Sequence, residues 1–247
     1  VFNPSSSLRW PGNLKKYRLD RGNFIDANMQ DAIDPDTGFF KDEAQSFWSS
    51  SADGASVTEG GAAERLPDFG NRNLYTNIAG GDLNAPANAV VPTNTALTDE
   101  VLGIFGPLAD DFDQQNTFLT NLSDRERLIL WMRGLDLFDE NDNGSDMDPR
   151  RTMGDPLHVR PVPVIYGGTA ANPDMVIYIA TNDGFLHAVD PETGDELWAF
   201  VPEQLLASQP ALFADPVSPQ RQYGIDGEIT AVILNDDGQG GITGNEP

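Results

Sequence analysis

The chain contains no cysteine, which excludes disulfides, thiolate zinc sites and cysteine nucleophiles together. Histidine is nearly as scarce, with only His158 and His187 in 247 residues, and no Gly-x-Ser-x-Gly elbow marks a hydrolase nucleophile. Basic residues are few: 15 Lys and Arg stand against 39 Asp and Glu, a net charge of −24. That balance repels phosphate backbones and anionic membranes, so nucleic acid is not an expected partner. It suits divalent cations, a cationic partner or plain solubility in a salty setting. Long apolar runs are also missing, and nothing approaches the roughly 18 residues that a membrane-spanning helix needs. No signal-peptide pattern is read at Val1-Phe2-Asn3-Pro4. With an ending at Asn245-Glu246-Pro247, that opening gives the expectation of a piece excised from a longer protein.

What remains is a loop-rich globular composition, 39% hydrophobic with 24 Gly and 18 Pro. Its most informative stretch is 176–202. Val176, Tyr178 and Ala180 alternate with Ile177, Ile179 and Thr181, a buried-strand pattern of β-branched and aromatic residues. Asn182-Asp183-Gly184 has the chemistry of a tight turn, because these residues tolerate positive φ. Phe185–Val189 is the expected return strand. Asp190-Pro191-Glu192-Thr193-Gly194 forms a second turn, with Pro presetting φ and Gly taking the left-handed position. Leu197–Phe200 is a third strand, stopped by Pro202. Three short antiparallel strands so close together make a meander, the unit of β-propeller blades, rather than a βαβ crossover.

Residues 1–66 are expected to be short strands separated by turns, including a half-buried strand over Leu14–Leu19. Asp34-Pro35-Asp36-Thr37-Gly38 repeats the turn chemistry of Asp190–Gly194, a faint internal echo. Residues 67–138 are predicted to be a loop-rich insertion carrying one helix, about 124–133. Ser123-Asp124-Arg125-Glu126 is a capping box, Leu128–Met132 is apolar all round and therefore buried, and Gly134 ends the helix. Residues 139–153 read as an acidic loop and 154–247 as the first blades of a propeller. The strand pattern there returns over Leu157–Val164, where Pro161 and Pro163 demand an edge position. The expected fold class is mainly β: a partial propeller with antiparallel four-stranded blades, a loop-rich insertion and one buried helix.

The chemistry-bearing candidate is the acidic loop. Asp139, Asn141 and Asn143 at alternate positions, followed by Gly144, match the first half of an EF-hand loop. Ca2+ takes six to eight hard oxygen ligands at about 2.4 Å, and alternate residues of a tight loop point inward. Ser145 adds a carbonyl. The twelfth position, where such loops carry a bidentate Glu, is Arg150; Asp148 is the residue placed to close the site instead. A solvated turn held by Asx hydrogen bonds is the competing account. A weaker calcium candidate is Asn235, Asp237, Gln239, Gly240, Ile242 and Glu246, with a plain Gly-rich hairpin loop as its alternative. His187 lies mid-strand, where a core imidazole is expected, and His158 is expected to brace the Gly154-Asp155-Pro156 turn. The four Trp are expected to be core.

Thr181–Asp190 followed by Thr193–Pro202 resembles the opening blade of the PilY family of type IV pilus tip adhesins. Three other stretches agree. Gly154-Asp155-Pro156-Leu157-His158-Val159-Arg160-Pro161-Val162 resembles the propeller's Gly-Asp-x-x-His-Ser-x-Pro-Val opening, with Val159 in place of Ser. Trp10-x-Gly12-Asn13-Leu14-Lys15-Lys16-Tyr17 resembles the start of the family's C-terminal half, and Tyr223-Gly224-Ile225-Asp226-Gly227 the next strand. The resemblance implies a quinoprotein-dehydrogenase-type propeller, calcium in its loops, and no catalysis. It also implies export to the cell surface at the pilus tip or outer membrane. Minor pilins and a host-cell or surface ligand are its implied partners, and pilus assembly, twitching motility and adhesion its implied roles. Two alternatives share the pattern: a pyrroloquinoline-quinone dehydrogenase and a structural outer-membrane propeller scaffold. The dehydrogenases repeat the motif once per blade, whereas one good copy stands here.

Overall fold

The computed structural model describes residues 1–108 and 116–232. The N-terminal stretch holds β1 (Pro11–Gly12), β2 (Arg18–Asp20), β3 (Asn23–Ile25) and the short helix α1 (Gly61–Glu64). Next come β4 (Leu74–Tyr75), a 3-10 turn at Pro86–Asn88, α2 (Thr117–Thr120) and α3 (Asp124–Met132). The remainder holds β5 (Met153–Gly154), β6 (Val162–Thr169), β7 (Asn172–Ala180), β8 (Leu186–Val189), β9 (Glu196–Phe200), α4 (Glu203–Leu206) and α5 (Gln209–Ala214).

The expected meander is there. β6, β7, β8 and β9 pair antiparallel in chain order, a four-stranded unit held by the two foreseen turns. Gly184 takes φ 95° and Gly194 φ 78°, values that a side chain makes costly. In the second turn the Asp190 carboxylate accepts from the Glu192 and Thr193 amides at 2.7 and 3.2 Å, while the Gly194 amide donates to the Asp190 carbonyl at 2.9 Å. The earlier copy folds the same way. Asp34 accepts from Asp36 and Thr37 at 2.8 and 3.3 Å, and the Gly38 amide donates to the Asp34 carbonyl at 2.8 Å.

The sheet has a fifth strand that the sequence does not signal. β4 pairs parallel with β9, Leu74 opposite Ala199. It satisfies the outer edge of β9, whose Ala199 and Val201 amides donate to the Asn73 and Tyr75 carbonyls at 2.8 Å, and it seats Leu74 in the core at 1% exposure. The architecture is therefore a mainly β fold with a five-stranded sheet and few helices, and no closed propeller is present among the described residues.

Two expected strands are corrected. Of the Leu14–Leu19 stretch only Arg18 and Leu19 are strand, which runs Arg18–Asp20, because loops take the backbone groups before it: Ala62 donates to the Leu14 carbonyl at 2.8 Å and Phe47 to the Lys16 carbonyl at 2.9 Å. Leu157–Val164 starts as a turn, and strand begins at Val162, since Pro161 supplies no ladder donor. α3 conforms closely: Ser123 and Glu126 form the reciprocal cap, Leu128–Met132 are all buried, and Gly134 follows at φ 97°.

Helices α3 and α5 and the loop residues Val90, Leu97 and Leu102 build one apolar core with Leu119, which takes Phe185, Ala199 and Val201 from the sheet and its C-terminal edge. A second core gathers Trp48, Ala62, Ala63 and Leu66 against Ile179, Ala180 and Val189. The sheet thus serves both cores. The N-terminal stretch is also locked onto the second meander turn: Trp48 Nε1 and Lys16 Nζ both donate to the Pro191 carbonyl, at 3.3 and 2.6 Å.

Candidate functional site

The acidic loop is closed at its base, where Leu135 bridges Pro149 and the Arg150 amide donates to the Gly134 carbonyl at 2.7 Å. Within it, the five proposed ligand residues come together. Asp139 accepts from the amides of Asn143 at 2.8 Å and Gly144 at 3.0 Å. Asn141 accepts from Asn143 N at 3.1 Å, and Asn143 from Ser145 N at 2.8 Å. The side-chain amides of Asn141 and Asn143 both donate to one oxygen of Asp148, at 2.9 and 2.7 Å. Asp139, Asp142 and Gly144 take positive φ of 49°, 54° and 81°, the tight winding that brings alternate side chains inward. Burial opposes ionisation of Asp148, but the two asparagine amides override it and hold the carboxyl below its usual range.

Among the described residues no three His, Asp or Glu side chains gather as a metal centre. The loop's donor set is mixed instead, two carboxylates, two side-chain amides and the Ser145 carbonyl, all hard oxygens of the kind Ca2+ accepts. The second oxygen of Asp148 is buried without a hydrogen-bond partner. Filled donors around one orphaned carboxylate oxygen fit a calcium loop whose amides would turn their oxygens inward on binding. The second candidate, Asn235 to Glu246, lies outside the described residues.

The four stretches that carry the family resemblance meet beside this loop. β1 pairs with β5, Pro11 opposite Gly154, so closely that a Cβ on Gly12 would sit 2.2 Å from the Gly154 carbonyl oxygen. Asn182 in the first meander turn binds Asp155, and the Gly224 amide donates back to Asn182 at 3.2 Å. Arg221 forms an ion pair with Asp155. His158 does not brace its own turn as expected; it bonds Asp226 at 2.8 Å and stacks on Tyr223, because its ring faces the 223–227 segment.

Between these segments opens a cleft of about 760 Å³, lined by Arg9, Trp10, Glu140, Asn141, Arg150 and Asp155 among others. One wall is therefore the acidic loop itself. Behind another wall lies a buried polar chain. Arg72 grips Glu196 through Nε and Nη2 at 2.7 and 2.9 Å, and Glu196 bonds His187 Nδ1 at 2.6 Å. His187 Nε2 meets the Thr181 hydroxyl at 3.3 Å, and that hydroxyl donates to Asp183 on the cleft. Burial disfavours the Glu196 carboxylate, yet Arg72 and His187 outweigh it and hold its pKa down to about 2. His187 is thus a core imidazole at 1% exposure. Of the tryptophans, Trp48 and Trp131 are buried, while Trp10 lines the cleft.

Sequence reasoning missed the cleft, since its arginines lie far apart in the chain. The one local signal was the Arg150-Arg151 pair directly after an acidic run.

A stretch of 73 residues is 41% identical to the Type IV pilus biogenesis factor PilY1 homolog of Xylella fastidiosa (strain Temecula1). Over that stretch the chain is similar to a pilus protein. The match covers 29% of this chain and 6% of that relative's length. No family model matches the chain, and no solved structure matches it. Among the described residues no helix is long and apolar enough to cross a membrane.

Proposed function

We propose that the chain is part of a type IV pilus biogenesis factor that works at the cell surface as a non-catalytic, calcium-binding β scaffold. The observation that carries this reading is the 73-residue, 41% identical match to a PilY1 homolog. The antiparallel unit β6–β9 supports it as one blade of a propeller that further sequence would continue. In this reading Asp139, Asn141, Asn143, Ser145 and Asp148 hold Ca2+. The ion neutralises like charges in the loop and so rigidifies one wall of the cleft, since a ligand bound only by the ordered state stabilises that state. The scaffold engages minor pilins at the pilus tip and presents loops for surface or host-cell adhesion.

The test is genetic. Deleting the parent gene in its host is expected to abolish surface pili and twitching, and the wild-type gene restores both. A double Asp139→Ala and Asn141→Ala allele is expected to restore them only in part. Normal piliation and motility in the deletion strain would remove the pilus from the account.

A further inference from the structure

In a chain of net charge −24, the cleft is exceptional in drawing four arginines, Arg9, Arg150, Arg151 and Arg221, to one place. Three of them are paired with carboxylates. Arg9 pairs with Glu140 at 2.7 Å and with Asp215 at 3.6 Å, and Arg221 pairs with Asp155. Arg151 is half-buried and pairs with Asp68 at 2.9 Å. Arg150 differs in having no carboxylate hydrogen-bonded to it: it is 8% exposed, its Nε, like those of Arg9 and Arg221, has no acceptor, and its guanidinium's one hydrogen bond runs to the Trp131 carbonyl at 3.4 Å. The contrast with Arg72 is instructive. That guanidinium is equally buried but satisfies its Nε–Nη2 edge with both oxygens of Glu196. On Arg150 no carboxylate fills that edge. Its guanidinium sits 4.4 Å over the Trp131 ring, a cation–π contact that fixes its orientation before any ligand arrives.

A buried guanidinium with an unfilled edge calls for a planar anion, because carboxylate matches it with two parallel hydrogen bonds. The rest of the cleft restricts which anion. Asp136, 1% exposed, leaves Oδ2 without a partner, and Asp183 and Asp215 share the lining. So many carboxylates oppose two charges concentrated on one group, as in a phosphate dianion, more than the single charge of one planar carboxylate, and they accept hydroxyl donors readily. The Trp10 ring is occupied by Arg221 at 4.3 Å and by Phe2 stacked at 6.4 Å, which leaves no platform for a nucleobase. A volume of about 760 Å³ lies within the range of small-molecule sites.

We propose that this cleft binds a sugar acid, its carboxylate on Arg150 and its hydroxyls on Asp136 and neighbouring acceptors. The assignment does not rest on the pilus reading, and it shares one wall, with Glu140 and Asn141, with the acidic loop.

Calorimetric titration of the full chain with digalacturonate, galactobiose and inorganic phosphate tests this. Digalacturonate is expected to bind, with galactobiose and phosphate at least tenfold weaker. Arg150→Lys, which keeps the charge but loses the fork, is expected to weaken digalacturonate at least tenfold with an unchanged circular dichroism spectrum. The comparison of acidic with neutral sugar on the unaltered protein stands even if that variant misfolds. Equal affinity for the neutral sugar, tighter phosphate, no binding of any of the three, or full affinity in a folded Arg150→Lys protein would overturn the assignment. So would binding of a free acidic peptide in place of digalacturonate.

Discussion

Asn182 holds Asp155 twice: its backbone amide donates to the Asp155 carbonyl at 2.9 Å and its side-chain amide to the carboxylate at 2.9 Å. Both residues are buried, and through them the first turn of the meander is fixed to the strand opposite β1. Asn182→Ala would strand a buried carboxylate oxygen and free the Gly224 amide. The expected loss is about 1–3 kcal/mol, read from the midpoint of urea unfolding. A loss well under that range would mean the junction between segments 154–162 and 181–190 is not tied through this pair.

The two copies of the Asp-Pro-x-Thr-Gly turn allow a matched comparison. Gly38 and Gly194 have φ of 75° and 78°, so alanine strains the backbone equally at each, by about 1–2 kcal/mol. Their surroundings differ. A Cβ on Gly38 meets nothing within 4 Å, whereas one on Gly194 sits 2.5 Å from Trp48 Cγ. Gly194→Ala is therefore expected to cost roughly 1–3 kcal/mol more than Gly38→Ala through overpacking. Denaturant midpoints of the two variants decide it, and equal losses would deny that this turn seats the N-terminal stretch.

Glu196 gives stability an acid dependence of defined sign. Its folded pKa lies near 2 against an ordinary 4.5, so the ionised form is stabilised by folding. That contribution is complete above about pH 4.5 and is lost as pH falls towards 2. Glu196→Gln leaves Arg72 buried beside a neutral group, and is expected to cost about 3–5 kcal/mol at neutral pH. It should also flatten the decline between pH 4.5 and 2 in thermal melts. A variant with the wild-type acid limb would assign that limb to other carboxylates.

Much of this was legible locally. The meander, its turns and α3 follow from alternation, Asn-Asp-Gly and Asp-Pro-x-Thr-Gly chemistry, and the Ser123–Glu126 box, all of which act over a few residues. The convergence of Asp139, Asn141, Asn143, Ser145 and Asp148 follows from their spacing alone. What escaped depends on distant partners. β1, β4 and β5 are two-residue strands without a pattern of their own, formed because Gly154 and Ala199 offer backbone to pair. Leu14–Lys16 alternates like a strand, yet Ala62 and Phe47 take its carbonyls. The cleft depends on Arg9, Arg150 and Arg221 meeting, and His158 on Asp226, relations that no short window contains.

Calcium titration of the chain by isothermal calorimetry tests the central claim most directly. The account predicts one site of roughly micromolar affinity, abolished in the Asp139→Ala, Asn141→Ala double variant while the fold is retained. Unchanged binding in that variant, or no binding by the wild-type protein, would contradict it.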